Sequence, residues 1–113
     1  MLTIATQYSR YPGPRFAEDG PFSGEVFRDE HLVPALVAAE REGKRLIVEL
    51  DGARGYTASF LEEAFGGLIR VRGYTLDRVS KLLDVRAQDR RVSYWRDRIQ
   101  LYMEKAAAVS ERV

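Results

Sequence analysis

The chain has 113 residues, 18 Lys and Arg against 17 Asp and Glu, no Cys, and 45% hydrophobic residues. That length fits one domain spanning residues 1–113, and 31% charged with 11% aromatic residues describes an ordinary globular protein, not a disordered one. The lack of Cys excludes a disulfide scaffold, a thiol nucleophile and any Cys-containing zinc site. A net charge of +1 argues against a strongly basic nucleic-acid binder.

Leu2 to Tyr8 alternates apolar and polar residues and reads as a half-buried strand. Ser9 to Phe22 holds Pro12, Gly13, Pro14, Gly20 and Pro21, a density that forbids a helix; a short hairpin around Glu18-Asp19-Gly20 is one option there. Ser23 is a good N-cap, and a helix should run from it to about Glu42, with Gly43 as its C-cap. Val26, Val33, Leu36 and Val37 fall on one face of that helix, with Leu32 at its margin. Pro34 removes one backbone hydrogen bond, so a kink or a break is expected near His31.

Arg45 to Leu50 is a compact apolar run and reads as a central strand ending in the turn signal Asp51-Gly52. A second helix should start near Thr57 or Ser59, bury Phe60, Leu61, Ala64, Phe65, Leu68 and Val71, and close at Gly73. Gly66 and Gly67 lie off that arc and permit close packing against a neighbour. Thr75 to Lys81 reads as a short helix and Leu82 to Ala87 as a strand. From Asp89 to about Val109 the stripe Val92, Trp95, Ile99, Tyr102, Met103 and Ala106 gives the best helical signal in the chain, with Tyr94 and Leu101 left on the surface.

Strand, helix, strand, helix, helix, strand, helix is the order of a small α/β sandwich, its sheet mainly parallel or mixed with helices packed on it. Ligands of such sheets gather at the carboxyl ends of the strands. In this chain that edge collects Ser9–Ser23, Asp51–Ser59 and Gln88–Arg91, with Arg10, Arg15, Arg54, Arg90 and Arg91 in or beside them. Helix N-termini near Ser23, Thr57/Ser59 and Asp89 point to the same place, and favour an anionic ligand or a phosphorylated side chain. Ser59-Phe60-Leu61-Glu62 fits a capping box, which by itself accounts for Ser59, although Thr57 competes for the cap position.

The segments Tyr8–Arg15 (YSRYPGPR), Gly20–Arg28 (GPFSGEVFR) and Leu50–Leu68 (LDGARGYTASFLEEAFGGL) resemble a bacterial STAS-like family of unknown function, itself similar to the STAS domains of anti-anti-sigma factors. The resemblance covers most of the chain from Leu2 to about Ala87 and implies a STAS-like fold. In the anti-anti-sigma proteins an Asp-Ser-Ser-Gly-Leu motif opens the helix after the central strand, and its second Ser is phosphorylated by a GHKL-type kinase that is also the binding partner. On that motif Thr57 takes the Asp position, Ala58 the first Ser, Ser59 the phosphorylated Ser, Phe60 the Gly and Leu61 the Leu. The resemblance therefore implies a cytoplasmic, non-enzymatic regulatory module that binds a protein, with a GHKL-type ATP-binding protein as the expected partner and Ser59 as the candidate phosphorylation site. Arg15, Ser23, Asp51, Gly55, Tyr56, Thr57, Ser59 and Glu62 make up the candidate contact surface.

Other chemistry is poorly supported. His31 stands alone without a second His, and no carboxylates at ligand spacing suggest a metal. Glu62 and Glu63, adjacent on a helix, should point in different directions and so make a poor catalytic pair. No phosphate-binding Gly-rich loop ends in Gly-Lys-Ser/Thr, and no nucleophile elbow surrounds Ser59. No catalytic residue, cofactor, metal or membrane contact is expected. The alternative is an Arg-mediated nucleic-acid or nucleotide binder: Arg70 to Arg98 holds nine Lys and Arg against four Asp, interleaved with Tyr74, Tyr94 and Trp95. Those Asp residues would repel a phosphate backbone and are placed to form ion pairs with the arginines.

Overall fold

A computed structural model describes residues 1–111. Its three strands are β1 (Leu2–Thr3), β2 (Leu46–Glu49) and β3 (Leu83–Arg86), ordered β1-β2-β3 with both pairings parallel. Val48 is the pivot of the register, opposite Leu2 on one side and Val85 on the other. The apolar run Leu46–Leu50 is thus the central strand, and Leu46, Val48 and Leu50 are buried.

The first strand is shorter than its alternation implies. Ile4–Gln7 turns into a short helix, α1, in which Ile4 and Ala5 are both buried. Two consecutive buried residues break the period of two that a strand demands. The Gln7 side chain accepts from the Thr3 N–H at 2.7 Å, closing this turn with a side chain in place of a ladder partner.

The second helix, α2, covers residues 24–41 and the third, α3, covers residues 58–70. Each contains a π-helical stretch, Phe27–Leu32 in α2 and Glu62–Gly66 in α3. Pro34 therefore causes no break: it lies in the first turn of the α-helical part Val33–Arg41, where the preceding wide turn has already given up the usual hydrogen bond. The short helix α4 (Leu76–Leu82) starts on a Thr75 cap, and α5 (Arg90–Glu111) is the long C-terminal helix. Its stripe buries Val92, Ile99, Met103 and Ala106 as expected, with Trp95 and Tyr102 packed against the core.

Where the wide turn falls in α2, the apolar face moves. In α2, Phe27 and Leu32 are fully buried while Val37 is 42% exposed; in α3, Ile69 is buried and Val71, past the helix end, is 54% exposed. Val37 and Val71 thus depart from their expected faces. For Val37 the wide turn upstream displaces the later side chains around the helix axis, whereas Val71 lies in the turn after α3, whose expected face of Phe60, Leu61, Ala64, Phe65 and Leu68 is buried. α3 touches both α2 and α5, and the buried side chains of strands and helices form one hydrophobic core.

Candidate functional site at the carboxyl ends of the strands

Because all three strands run the same way, their carboxyl ends open on one edge. The loops there are laced together by backbone groups. The Arg54 N–H donates to the Arg10 carbonyl at 2.8 Å, joining the loops after β1 and β2. The Asp51 carboxylate accepts from the N–H groups of Gln88 at 3.1 Å and Asp89 at 3.0 Å, joining the loops after β2 and β3. Asp51 is therefore a brace between loops, a role that its place in a turn signal did not reveal.

Residues 9–22 follow the same pattern. Gly13 N–H donates to Phe22 O, Gly24 N–H to Pro14 O and Glu25 N–H to Arg15 O, so the two arms lie side by side around a single 3-10 turn at Ala17–Asp19. Hence the Glu18-Asp19-Gly20 stretch turns without forming paired strands. A Cβ on Gly13 would collide with the Pro21 carbonyl, which fixes glycine there by close approach. Phe22 holds a positive φ of 57°, unusual for a bulky residue, with its ring edge-on to Tyr8 at 5.6 Å.

Ser23 is fully buried and caps α2, its Oγ accepting from Val26 N–H at 3.1 Å. Its carbonyl accepts from the Tyr8 hydroxyl at 2.8 Å. Burial, helped by the nearby Glu30 charge and opposed by the Ser23 bond, pushes the Tyr8 phenol up to about 12. The buried Tyr56 donates its hydroxyl to Leu50 O at 2.8 Å, and burial raises its pKa as well. Ser23 and Tyr56 thus serve as internal fasteners under the surface. Gly55 lies in the exposed loop with open space where a side chain would be.

The start of α3 corrects the capping box. Thr57 is the N-cap, and its Oγ1 accepts from Phe60 N–H at 3.1 Å. Ser59 sits inside the first turn and is exposed. Glu62 does not reach back to the cap: its carboxylate takes Arg15 and, at 2.6 Å, Arg70. Phe60 is fully buried among Phe27 (5.8 Å), Tyr8 (6.3 Å) and Tyr56 (6.4 Å), so its bulk lies in the core and not over Ser59. Gly24 is pressed against the Phe60 carbonyl, where a Cβ would collide, and this fixes the start of α2 against that of α3.

Glu62 and Glu63 also depart from expectation. Both lie in the π-helical stretch, and both converge on the same arginines. Arg15 and Arg70 each contact both carboxylates. Arg28, only 2% exposed, reaches Glu63, 4% exposed, at 2.5 Å and also donates to the Glu63 carbonyl at 3.1 Å. Its Nε bonds Asp29 at 2.9 Å, and Arg72 meets the same Asp29 at 3.4 Å. Burial alone would raise the Glu62 carboxyl, but hydrogen bonds and charge from Arg70 and Arg15 outweigh it and hold Glu62 below the usual carboxylate range. A Cβ on Gly67 would strike the Arg28 guanidinium and one on Gly66 the Glu62 carboxylate. The Gly-Gly pair thus makes room for this ionic seam between α2 and α3. That seam is what residue-by-residue reading missed, and the pair of glycines was its one signal.

His31 is half-buried, edge-on to Tyr8 at 4.9 Å and stacked with Phe27 at 6.2 Å, a packing role. In the Arg-rich stretch, all four Asp residues pair with a local cation: Lys81–Asp77, Arg86–Asp84, Arg91–Asp89 and Arg96–Asp97. Arg70, Arg72 and Arg78 reach carboxylates elsewhere, and Arg98 lies over the Tyr94 ring at 5.1 Å. No helix among the described residues is long and apolar enough to cross a membrane, and no group of His, Cys, Asp or Glu among them is placed to hold a metal.

No curated protein and no solved structure matches the chain. Residues 23–84, more than half of it, match the family described as a STAS-like domain of unknown function (DUF4325). The match spans the α2 cap, the central strand and the whole ionic seam except Arg15. With its parallel three-stranded sheet and flanking helices, this chain belongs to the family of STAS-like domains of unknown function.

Proposed function

We propose that this protein is a non-enzymatic regulatory binding module of the cytoplasm, and that its partner surface is centred on Ser59 and switched by phosphorylation from a GHKL-type ATPase. The observation that carries the reading is the division of labour at the start of α3. Thr57 caps the helix, leaving the exposed Ser59 hydroxyl with no cap to serve, while Phe60 turns inward and leaves the approach to it open. In the step itself, Ser59 Oγ attacks the γ-phosphorus of ATP, the bond from that phosphorus to the β–γ bridging oxygen breaks, ADP leaves, and the hydroxyl proton passes to a base of the kinase. The product adds about 1.5–2 negative charges beside the positive end of α3, which stabilises the phosphate and reverses the local sign of the surface.

The experiment is incubation with ATP and the GHKL-type ATPase encoded nearest to the gene, followed by mapping of phosphate by mass spectrometry. Phosphate on Ser59, lost in Ser59→Ala, is the expected result. Absence of phosphate, or incorporation unaffected by the substitution, contradicts the switch.

A further inference from the structure

We propose that the strand-end loops form a cationic docking surface for a carboxylate-bearing segment of a partner protein, with Arg10, Arg54 and Arg90 as the recognising groups. Five arginines stand at this edge, and the structure sorts them. Arg15 is neutralised by Glu62 and Glu63, and Arg91 by Asp89 at 2.8 Å. Arg10, Arg54 and Arg90 are exposed, and none forms a salt bridge among the described residues.

One of the three follows each strand: Arg10 after β1, Arg54 after β2 and Arg90 after β3. The backbone bond from Arg54 to Arg10 and the Asp51 brace to Gln88 and Asp89 hold their loops in one arrangement. Beside them Tyr11 is 65% exposed, its hydroxyl near Arg54 Nε at 3.5 Å. Arg54, by hydrogen bond and charge, and then Arg10, by charge, lower the pKa of the Tyr11 phenol. Exposed Arg and Tyr on a fixed backbone are the residues that carry protein interfaces, and guanidinium suits carboxylate in a bidentate fork.

A protein is favoured over a nucleic acid because the edge is mixed in sign. The loop 9–22 also exposes Glu18 and Asp19, and the carboxylates of Glu49 and Asp51 lie at the strand ends. A polyphosphate, charged at every step, would face those groups, whereas a folded partner places carboxylates only opposite the arginines. This inference rests on the strand-end surface being a protein contact, and does not require Ser59 to be phosphorylated.

The test follows the arginine Nε–H signals of the full labelled chain by NMR at low salt. A synthetic peptide of alternating Glu and Ala is titrated in, and a single-stranded oligonucleotide of equal charge in parallel. The peptide should shift Arg10, Arg54 and Arg90 and leave Arg41, at the far end of α2, unmoved. Arg54→Glu should weaken peptide binding on the order of ten-fold, and Arg41→Glu should not. Uniform shifts across all exposed arginines, or no shift of the three, would overturn the proposal, and tighter binding of the oligonucleotide would overturn it in favour of nucleic acid. Failure here leaves the Ser59 phosphate mapping intact, since that measurement does not use these arginines.

Discussion

Glu63 and Arg28 share almost no contact with water, so their 2.5 Å pairing is an obligation more than a gain. Removing one partner strands a buried charge. Arg28→Ala or Glu63→Ala should each cost about 3–5 kcal/mol in urea denaturation, whereas a paired replacement by apolar residues of similar volume should fall much closer to wild type. Ser59 and Thr57 make a second contrast. Thr57→Ala removes the cap of α3 and should cost about 1 kcal/mol, whereas Ser59→Ala should stay within about 0.5 kcal/mol. Equal losses at the two positions would restore Ser59 to the cap. Glu62 supplies the pH dependence. Its carboxyl is held below the ordinary value of 4.5, so its share of stability is fully present above that pH and is lost as the pH falls through the lower folded value. Stability measured against urea should therefore drop on acidification below about pH 4.5, and less steeply in Glu62→Gln.

At the scale of elements, the order of strands and helices was readable from apolar spacing, and the C-terminal helix was readable almost residue by residue. Within α2 the departure has a definite cause. Spacing arguments assume 3.6 residues per turn, and both α2 and α3 contain π turns that violate it. Val37 leaves its expected face for that reason, whereas Val71 lies in the turn past the end of α3. Nothing in the types of residues 27–32 or 62–66 announces a wide turn; the Arg28–Glu63 pair joins the two wide stretches. The candidate site was legible in part: Ser59 and the edge arginines were visible, but not which arginines were already spent on carboxylates. Gly67 provides the element-level prediction. Gly67→Ala forces a Cβ into the Arg28 guanidinium and should destabilise by about 1–3 kcal/mol, read as a lower melting temperature, although alanine is the better helix former. Asp51→Ala should in turn speed hydrogen exchange at Gln88 and Asp89, because it removes the acceptor that ties the third strand-end loop to the second.

For the molecule as a whole, a net charge of +1 conceals an uneven surface. Most arginines among the described residues are consumed within the fold, in the seam between α2 and α3, in the Arg78–Glu40 pair between α4 and α2, and in short local pairs at β3 and α5. Of those left over, Arg10, Arg54 and Arg90 each follow one of the three strands. On the proposed reading, such a surface would attract an acidic partner, and a phosphate on Ser59 would weaken that attraction. The most direct test is calorimetric titration of the intact protein with the purified GHKL-type ATPase, using wild type and Ser59→Glu at matched ionic strength. Wild type should bind, its affinity should fall as salt rises, and Ser59→Glu should bind markedly more weakly. Equal affinity of the two proteins would contradict the switch.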